Sequence, residues 1–218
     1  MTEMFRDREQ AGRRIASALR DAAAESLVLG LVRGGVVVAA EVARALDAQL
    51  DALVARKVGA PGNPEYAIGA VVEGGFTYLS QATVTRLRLS PGVVRSLIER
   101  CADDVRALQL QYRGGDSPPA VAGRHVILVD DGLATGATMR AAVASMRGRA
   151  AGRVTVACPV GSPVAVETMR QLADEVVCLV APWDFFAVGY HYERFDPVSD
   201  QDVRRALDEA RARWAARQ

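Results

Sequence analysis

The chain has 218 residues, 50% of them apolar and 24% charged, with 27 basic against 26 acidic side chains and a formal net charge of +1. A chain of this length buries enough surface to fold without disulfides or metals, and so balanced a charge gives no long-range field for nucleic acid or an anionic membrane. Three cysteines at scattered apolar positions, a charged first ten residues and no apolar stretch near ~20 residues predict a soluble, cytoplasmic protein with no membrane or nucleic-acid partner.

In chain order, residues 7–25 carry Ala11, Ile15, Ala18 and Leu19 at spacings of three and four, which predicts an amphipathic helix. Residues 26–31 switch to a continuous apolar run and read as a buried strand. Arg33-Gly34-Gly35 breaks it ahead of a helix over 36–46. Residues 50–58 read as a second strand ending in Arg56-Lys57. The run Gly59-Ala60-Pro61-Gly62-Asn63-Pro64 is the densest cluster of turn formers and predicts a mobile or functional loop. A hairpin over 67–72 and 76–79 follows, joined by Glu73-Gly74-Gly75. Ser90 caps and Pro91 opens a helix that runs to about residue 113. After a loop over 114–123 comes the clearest strand, 125–129, which leads through 130–138 into a helix to about residue 149. Strand 154–159, helix 163–173, strand 176–180, an aromatic irregular segment 183–197 and a helix 201–217 complete the chain. Apolar strands alternating with helices predict an α/β fold, a parallel central sheet covered by helices on both faces.

Residues 126–138 carry the strongest chemical signal. An apolar strand delivers Asp130 and Asp131 to its C-terminal end, where open parallel sheets bind ligands, and a turn of small residues then leads into a helix whose first amides suit a phosphate. Carboxylates accept from sugar hydroxyls, Thr135 and Thr138 add hydroxyls, and the combination suits a sugar phosphate. The plainer alternative is that the acids cap the helix and the glycines only turn. His125 and His191 show no metal-ligand spacing.

This stretch, Val126-Ile127-Leu128-Val129-Asp130-Asp131-Gly132-Leu133-Ala134-Thr135-Gly136-Ala137-Thr138, resembles the phosphoribosyl-pyrophosphate motif of type I phosphoribosyltransferases throughout its length. Two further segments match that family in order. Gly30-Leu31-Val32-Arg33-Gly34-Gly35 is similar to its pyrophosphate loop, and Arg56-Lys57 to the Arg-Lys pair that several members place beside pyrophosphate. Lys57 is the single lysine among the 27 basic residues. A solvated surface charge is the ordinary alternative for it.

The resemblance covers about residues 27–181 and is closest to bacterial proteins provisionally named phosphoribosyltransferases. It implies one domain over 1–218, with a core at about 27–181, a flexible lid at about 58–80 and a hood over the acceptor base at about 182–199. Asp130 and Asp131 would bind ribose. Ala134, Thr135, Gly136, Ala137 and Thr138 would cradle the 5′-phosphate, and Arg33, Gly34 and Gly35 would meet pyrophosphate. Arg33, Arg56 and Lys57 would stabilise its departure with Mg2+, which is held through the substrate, with Asp130 and Asp131 as further candidate ligands. Trp183, Phe185 and Phe186, with Tyr190 and Tyr192 nearby, either stack on the base or simply seal the end of the sheet.

Two departures pull the acceptor assignment in opposite directions. Ala134 stands where the hypoxanthine-guanine group carries an Asp, whereas Phe186-Ala187-Val188-Gly189-Tyr190, with Glu193, is similar to that group's hood. The implied reaction is transfer of a phosphoribosyl group to a nitrogenous base, and the rival is a sensor that binds phosphoribosyl pyrophosphate without catalysis. A homodimer is compatible with the sequence, which does not set oligomeric state.

Overall fold

A computed structural model of the chain describes residues 4–19 and 25–217. Its elements are α1 (Arg8–Ala18), β1 (Leu27–Leu31), α2 (Gly34–Leu46), β2 (Gln49–Leu53), β3 (Ala55–Ala60), β4 (Asn63–Val72), β5 (Phe76–Leu79), α3 (Gln81–Arg86), α4 (Pro91–Arg113), β6 (His125–Val129), α5 (Ala137–Gly148), β7 (Arg153–Val160), α6 (Pro163–Arg170), β8 (Glu175–Val180), a 3₁₀ turn (Val188–His191) and α7 (Asp200–Ala215). The helix expected over 7–25 ends at Ala18, with Leu19 as its C-cap; the part of that expectation over 20–24 lies outside the described residues. Among the described residues no helix is long and apolar enough to cross a membrane.

The central sheet is parallel, in the order β2-β1-β6-β7-β8. Its middle strand shows why a continuous apolar run was needed. Successive strand residues point to opposite faces, so Ile127 and Val129 enter one core with Val36, Val42 and Leu207, while Val126 and Leu128 enter another with Met139 and Met146. The connection from β1 runs to β2 on one side, and that from β6 runs to β7 on the other. Their helices therefore cover opposite faces, and a crevice opens between the loops that follow β1 and β6, as it does where the strand order reverses in open α/β sheets.

The expected strand over 50–58 is two strands in two sheets. β2 ends at Leu53, and β3 begins a separate antiparallel sheet in the order β3-β4-β5. The apolar run carries no sign of the break because its cause lies far along the chain. Val54 N–H donates to Glu73 Oε2 at 3.2 Å, and Glu73 N–H donates back to the Val54 carbonyl at 3.0 Å. Buried Arg113, at the end of α4, binds Glu73 through Nη1 at 2.9 Å and Asp51 through Nε at 2.8 Å. Opposite charges that share donors and acceptors in this way replace the water each would lose. The turn-former cluster is correspondingly no long loop. Gly59 and Ala60 finish β3, Asn63 starts β4, and only Pro61 and Gly62 turn between them. The sequence reading also passes over α3, a short helix capped by Ser80.

Candidate active site

A cleft of about 490 Å³ opens at the ends of β1 and β6. Its wall brings together Arg33 and Gly34 from the loop after β1, Arg56 and Lys57 from β3, and Asp130, Asp131 and residues 134–138 from the loop after β6. Segments far apart in sequence thus share one cavity.

The two loops touch. A side chain on Gly34 would place its Cβ 1.9 Å from Asp131 Oδ2, so only glycine lets the Arg33 loop come this close to the carboxylate. Gly35 packs behind the wall, against the Val129 carbonyl and Asp130. The peptide bond between Val32 and Arg33 is cis. Arg33 also faces Asp200 at 3.8 Å, and that carboxylate accepts from the Tyr112 hydroxyl at 2.5 Å.

Residues 132–138 are stapled to the end of β7. Leu133 N–H donates to the Val160 carbonyl at 2.9 Å, Ser162 N–H to the Leu133 carbonyl at 2.8 Å, and Ser162 Oγ to the Ala134 carbonyl at 2.7 Å. Gly136, with φ 71°, turns the chain into α5 through a left-handed conformation. Thr135 Oγ1 accepts from Ala137 N–H at 3.4 Å. A helix's first amides lack partners within the helix and carry its positive dipole end, a chemistry at the start of α5 that suits an anion.

The adjacent acids differ in environment. Asp130 lines the cleft half-buried, and the water it has lost pushes its carboxyl above the usual range; the neighbouring Asp131 charge pushes the same way. The Asp131 N–H, at 2.9 Å from Asp130 Oδ1, and the Lys57 ammonium oppose that rise. Asp131 is paired instead, with Arg8 Nε at 2.8 Å from its Oδ2. Lys57 is exposed at the cleft, and its ammonium acts on Asp130 as a nearby charge without an ion pair between them. Adjacent residues on a strand point to opposite sides. Accordingly Arg56 also reaches a neighbouring hollow that it shares with Arg33, Tyr112 and Asp200, a hollow Lys57 does not line.

The aromatic segment divides. Trp183 is 91% and Phe186 78% exposed, with Phe186 edge-on to Tyr190 at 5.1 Å; Phe185 stacks on His191 at 5.7 Å. None of the three lines the cleft, whose wall from this segment is Val188 and Phe195. Tyr192 is buried and donates its hydroxyl to the Asp131 carbonyl at 2.7 Å.

The profile of the phosphoribosyl transferase domain matches residues 2–194. The chain belongs to that family. Two Mycobacterium tuberculosis proteins, from strains CDC 1551 and H37Rv and provisionally named phosphoribosyl transferases, are each 40% identical over 214 residues. Those residues are 98% of this chain but 48% of each relative, so the chain spans about half the length of the curated relatives it matches. The crystal structure of TT1426 from Thermus thermophilus is 47% identical, with a TM-score of 0.80 over 94% of this chain and 98% of that one.

In this phosphoribosyl transferase domain, sequence reasoning missed Arg8 and did not single out Phe195 within the expected hood, whereas Val188 lies in the hood segment it quoted. Arg8 is one arginine among many on a helix with ordinary amphipathic spacing, and no local signal sets it apart. The raised Asp130 carboxyl carries a stability prediction. Because its folded pKa lies above the unfolded value, the folded state binds the extra proton, and stability falls as pH rises through that window. Asp130→Asn removes the penalty. In ligand-free, magnesium-free buffer the variant should melt above the wild type at pH 8, by on the order of 2–4 °C for each kcal/mol released, with the gap shrinking toward pH 4. Equal melting curves at both pH values would show that the carboxyl is not destabilising.

Proposed function

We propose that this domain transfers a phosphoribosyl group from phosphoribosyl pyrophosphate to a nitrogenous base, releasing pyrophosphate. The observation that supports it best is the shared wall of Arg33-Gly34, Arg56-Lys57, Asp130-Asp131 and 134–138. Asp130 and Asp131 take the ribose hydroxyls, and Ala134, Thr135, Gly136, Ala137 and Thr138 hold the 5′-phosphate at the start of α5. Arg33, Gly34, Arg56 and Lys57 surround the pyrophosphate, with Gly35 packed behind them. The base meets the chain against Val188 and Phe195, with Trp183, Phe185 and Phe186 outside that wall. In this reading the chain is one domain, with the antiparallel sheet as its lid.

Breaking the bond to pyrophosphate leaves an electron-poor, oxocarbenium-like sugar and puts negative charge on the leaving group. Cations already aimed at that charge lower the barrier without reorganising. Among the described residues no group of three or more His, Cys, Asp or Glu side chains could hold a metal. The oxygen donors present, Asp130 and Asp131, fit a hard cation that arrives with its substrate, and magnesium bound to pyrophosphate would neutralise part of its charge.

Calorimetry with phosphoribosyl pyrophosphate and magnesium, followed by a screen of purine and pyrimidine bases for pyrophosphate release, tests the proposal. Heat with turnover on at least one base is expected. Heat without turnover on any base would make the domain a sensor, and no heat would remove both readings. Lys57→Met should lower kcat/KM by about 10²–10³. Lys57→Arg keeps the charge but replaces a compact ammonium by a planar fork, and should lower it about tenfold. Steady-state kinetics of the two variants checks this, and a fully active Lys57→Met would exclude the lysine from the reaction.

A further inference from the structure

Arg8 stands behind the cleft, not in its wall, yet it grips two residues that form the wall. Asp7 caps α1, its Oδ1 accepting from Gln10 N–H at 2.8 Å, and so fixes Arg8 as the helix's first residue. From there the guanidinium makes three different contacts at once. Nε donates to Asp131 Oδ2 at 2.8 Å, Nη1 donates to the Asp196 carbonyl at 2.8 Å, and the guanidinium carbon lies 3.9 Å from the centroid of the Phe195 ring. The Arg8 side chain is only 11% exposed and that of Asp131 17%, so water screens the pair weakly.

The backbone around these contacts is joined as well. Phe5 N–H donates to the His191 carbonyl and Glu193 N–H to the Phe5 carbonyl, both at 2.8 Å, and Arg194 N–H to the Arg6 carbonyl at 3.0 Å. Residues 5–8 and 191–196 therefore form one unit, and the Arg8–Asp131 pair is its charged grip on the end of β6. Tyr192, from the same unit, holds the Asp131 main chain.

We propose that Arg8 is a positioning residue that couples the two ends of the reaction, holding one oxygen of Asp131 so that the other faces the ribose, and bracing Phe195 as the wall for the acceptor base. The inference rests on the assignment of the cleft to phosphoribosyl pyrophosphate. The chemistry demands arginine. A flat fork with donors in its plane and a face free for stacking makes all three contacts, whereas an ammonium supplies the charge without the fork or the face. Gly34 belongs to the same device, since a Cβ there would also come within 2.9 Å of Arg8 Nε.

The test is a cycle of Arg8→Met, Asp131→Asn and the double variant, with Arg8→Lys alongside. Calorimetry gives phosphoribosyl pyrophosphate affinity with magnesium, and steady-state kinetics give KM for whichever base turns over. Arg8→Met should weaken phosphoribosyl pyrophosphate about 10–100-fold, the range for a partly buried charge-assisted bond. If Arg8 acts through Asp131, the double variant should bind within about threefold of Asp131→Asn alone. Arg8→Lys should recover part of that affinity while leaving KM for the base raised, because the ring contact is lost. Losses that multiply in the double variant would overturn the proposal, as would an Arg8→Met protein that binds like the wild type. If Arg8→Met fails to fold, Arg8→Lys decides: wild-type values for both substrates would sink the inference. No heat from the wild type would instead remove the phosphoribosyl-pyrophosphate reading, and this inference with it.

Discussion

Arg113→Met is expected to cost about 3–5 kcal/mol of folding stability, the range for removing one partner of a buried ion pair. Arg113 is 5% exposed, Asp51 6% and Glu73 2%, so the variant strands two carboxylates in the interior without the cation that bonds them both. Arg149, 4.0 Å from Glu73 Oε1, is too far to take over its bonds. Urea unfolding measures the loss as a lower midpoint. Adding Glu73→Gln and Asp51→Asn should recover part of it, since the stranded charge rather than the missing bond dominates the cost. A midpoint within experimental error of the wild type would mean that water reaches the junction. Catalysis should suffer as well. The network fixes the point where the chain leaves the central sheet, just before Arg56, so loosening it displaces both cations of β3.

Gly34→Ala should be the most damaging single-methyl change in the cleft. No left-handed angle is needed at Gly34, which opens α2 with helical geometry, so the backbone accepts alanine. The obstacle is the Asp131 carboxylate, 1.9 Å from the new Cβ. Either the loop retreats or Asp131 swings away, breaking its bond to Arg8. Phosphoribosyl pyrophosphate affinity should fall at least about 100-fold, in keeping with the cost of misplacing a site by about an ångström. Thermal stability should change far less. Calorimetry beside a melting curve separates the two, and an alanine variant with wild-type affinity would contradict the contact between the loops.

The parallel sheet and its central loop were legible because their causes are local. Val126 to Val129 are apolar on both faces as a doubly covered strand requires, and the acids and small residues after them must lie at its end. Legibility failed where the cause is distant. Nothing in residues 50–58 reveals that Glu73 and Arg113 will divide them between two sheets, and the Arg-Lys pair thus belongs to β3, not to the end of a parallel strand. The aromatic segment failed for a different reason. Composition marks a cluster of rings, but which ring faces the cleft depends on a 3₁₀ turn and on the pairing of residues 5 and 6 with residues 191–194. Phe195 reaches the wall, while the more conspicuous Trp183 points into water.

The alternation of β6 between two cores has a practical consequence. The Arg33 loop leads into α2, which packs with Val28, Ile127 and Leu207 on one face of the sheet; the Thr135 loop leads into α5, which packs with Leu29, Leu128 and Met169 on the other. Each end of the cleft is thus anchored in its own hydrophobic layer, with the sheet as partition. Variation at Val36, Val42 or Leu207 acts on the arginine side, and variation at Val143 or Met146 on the threonine side. Grip on the two ends of a bound molecule can be adjusted independently, from positions that never touch it.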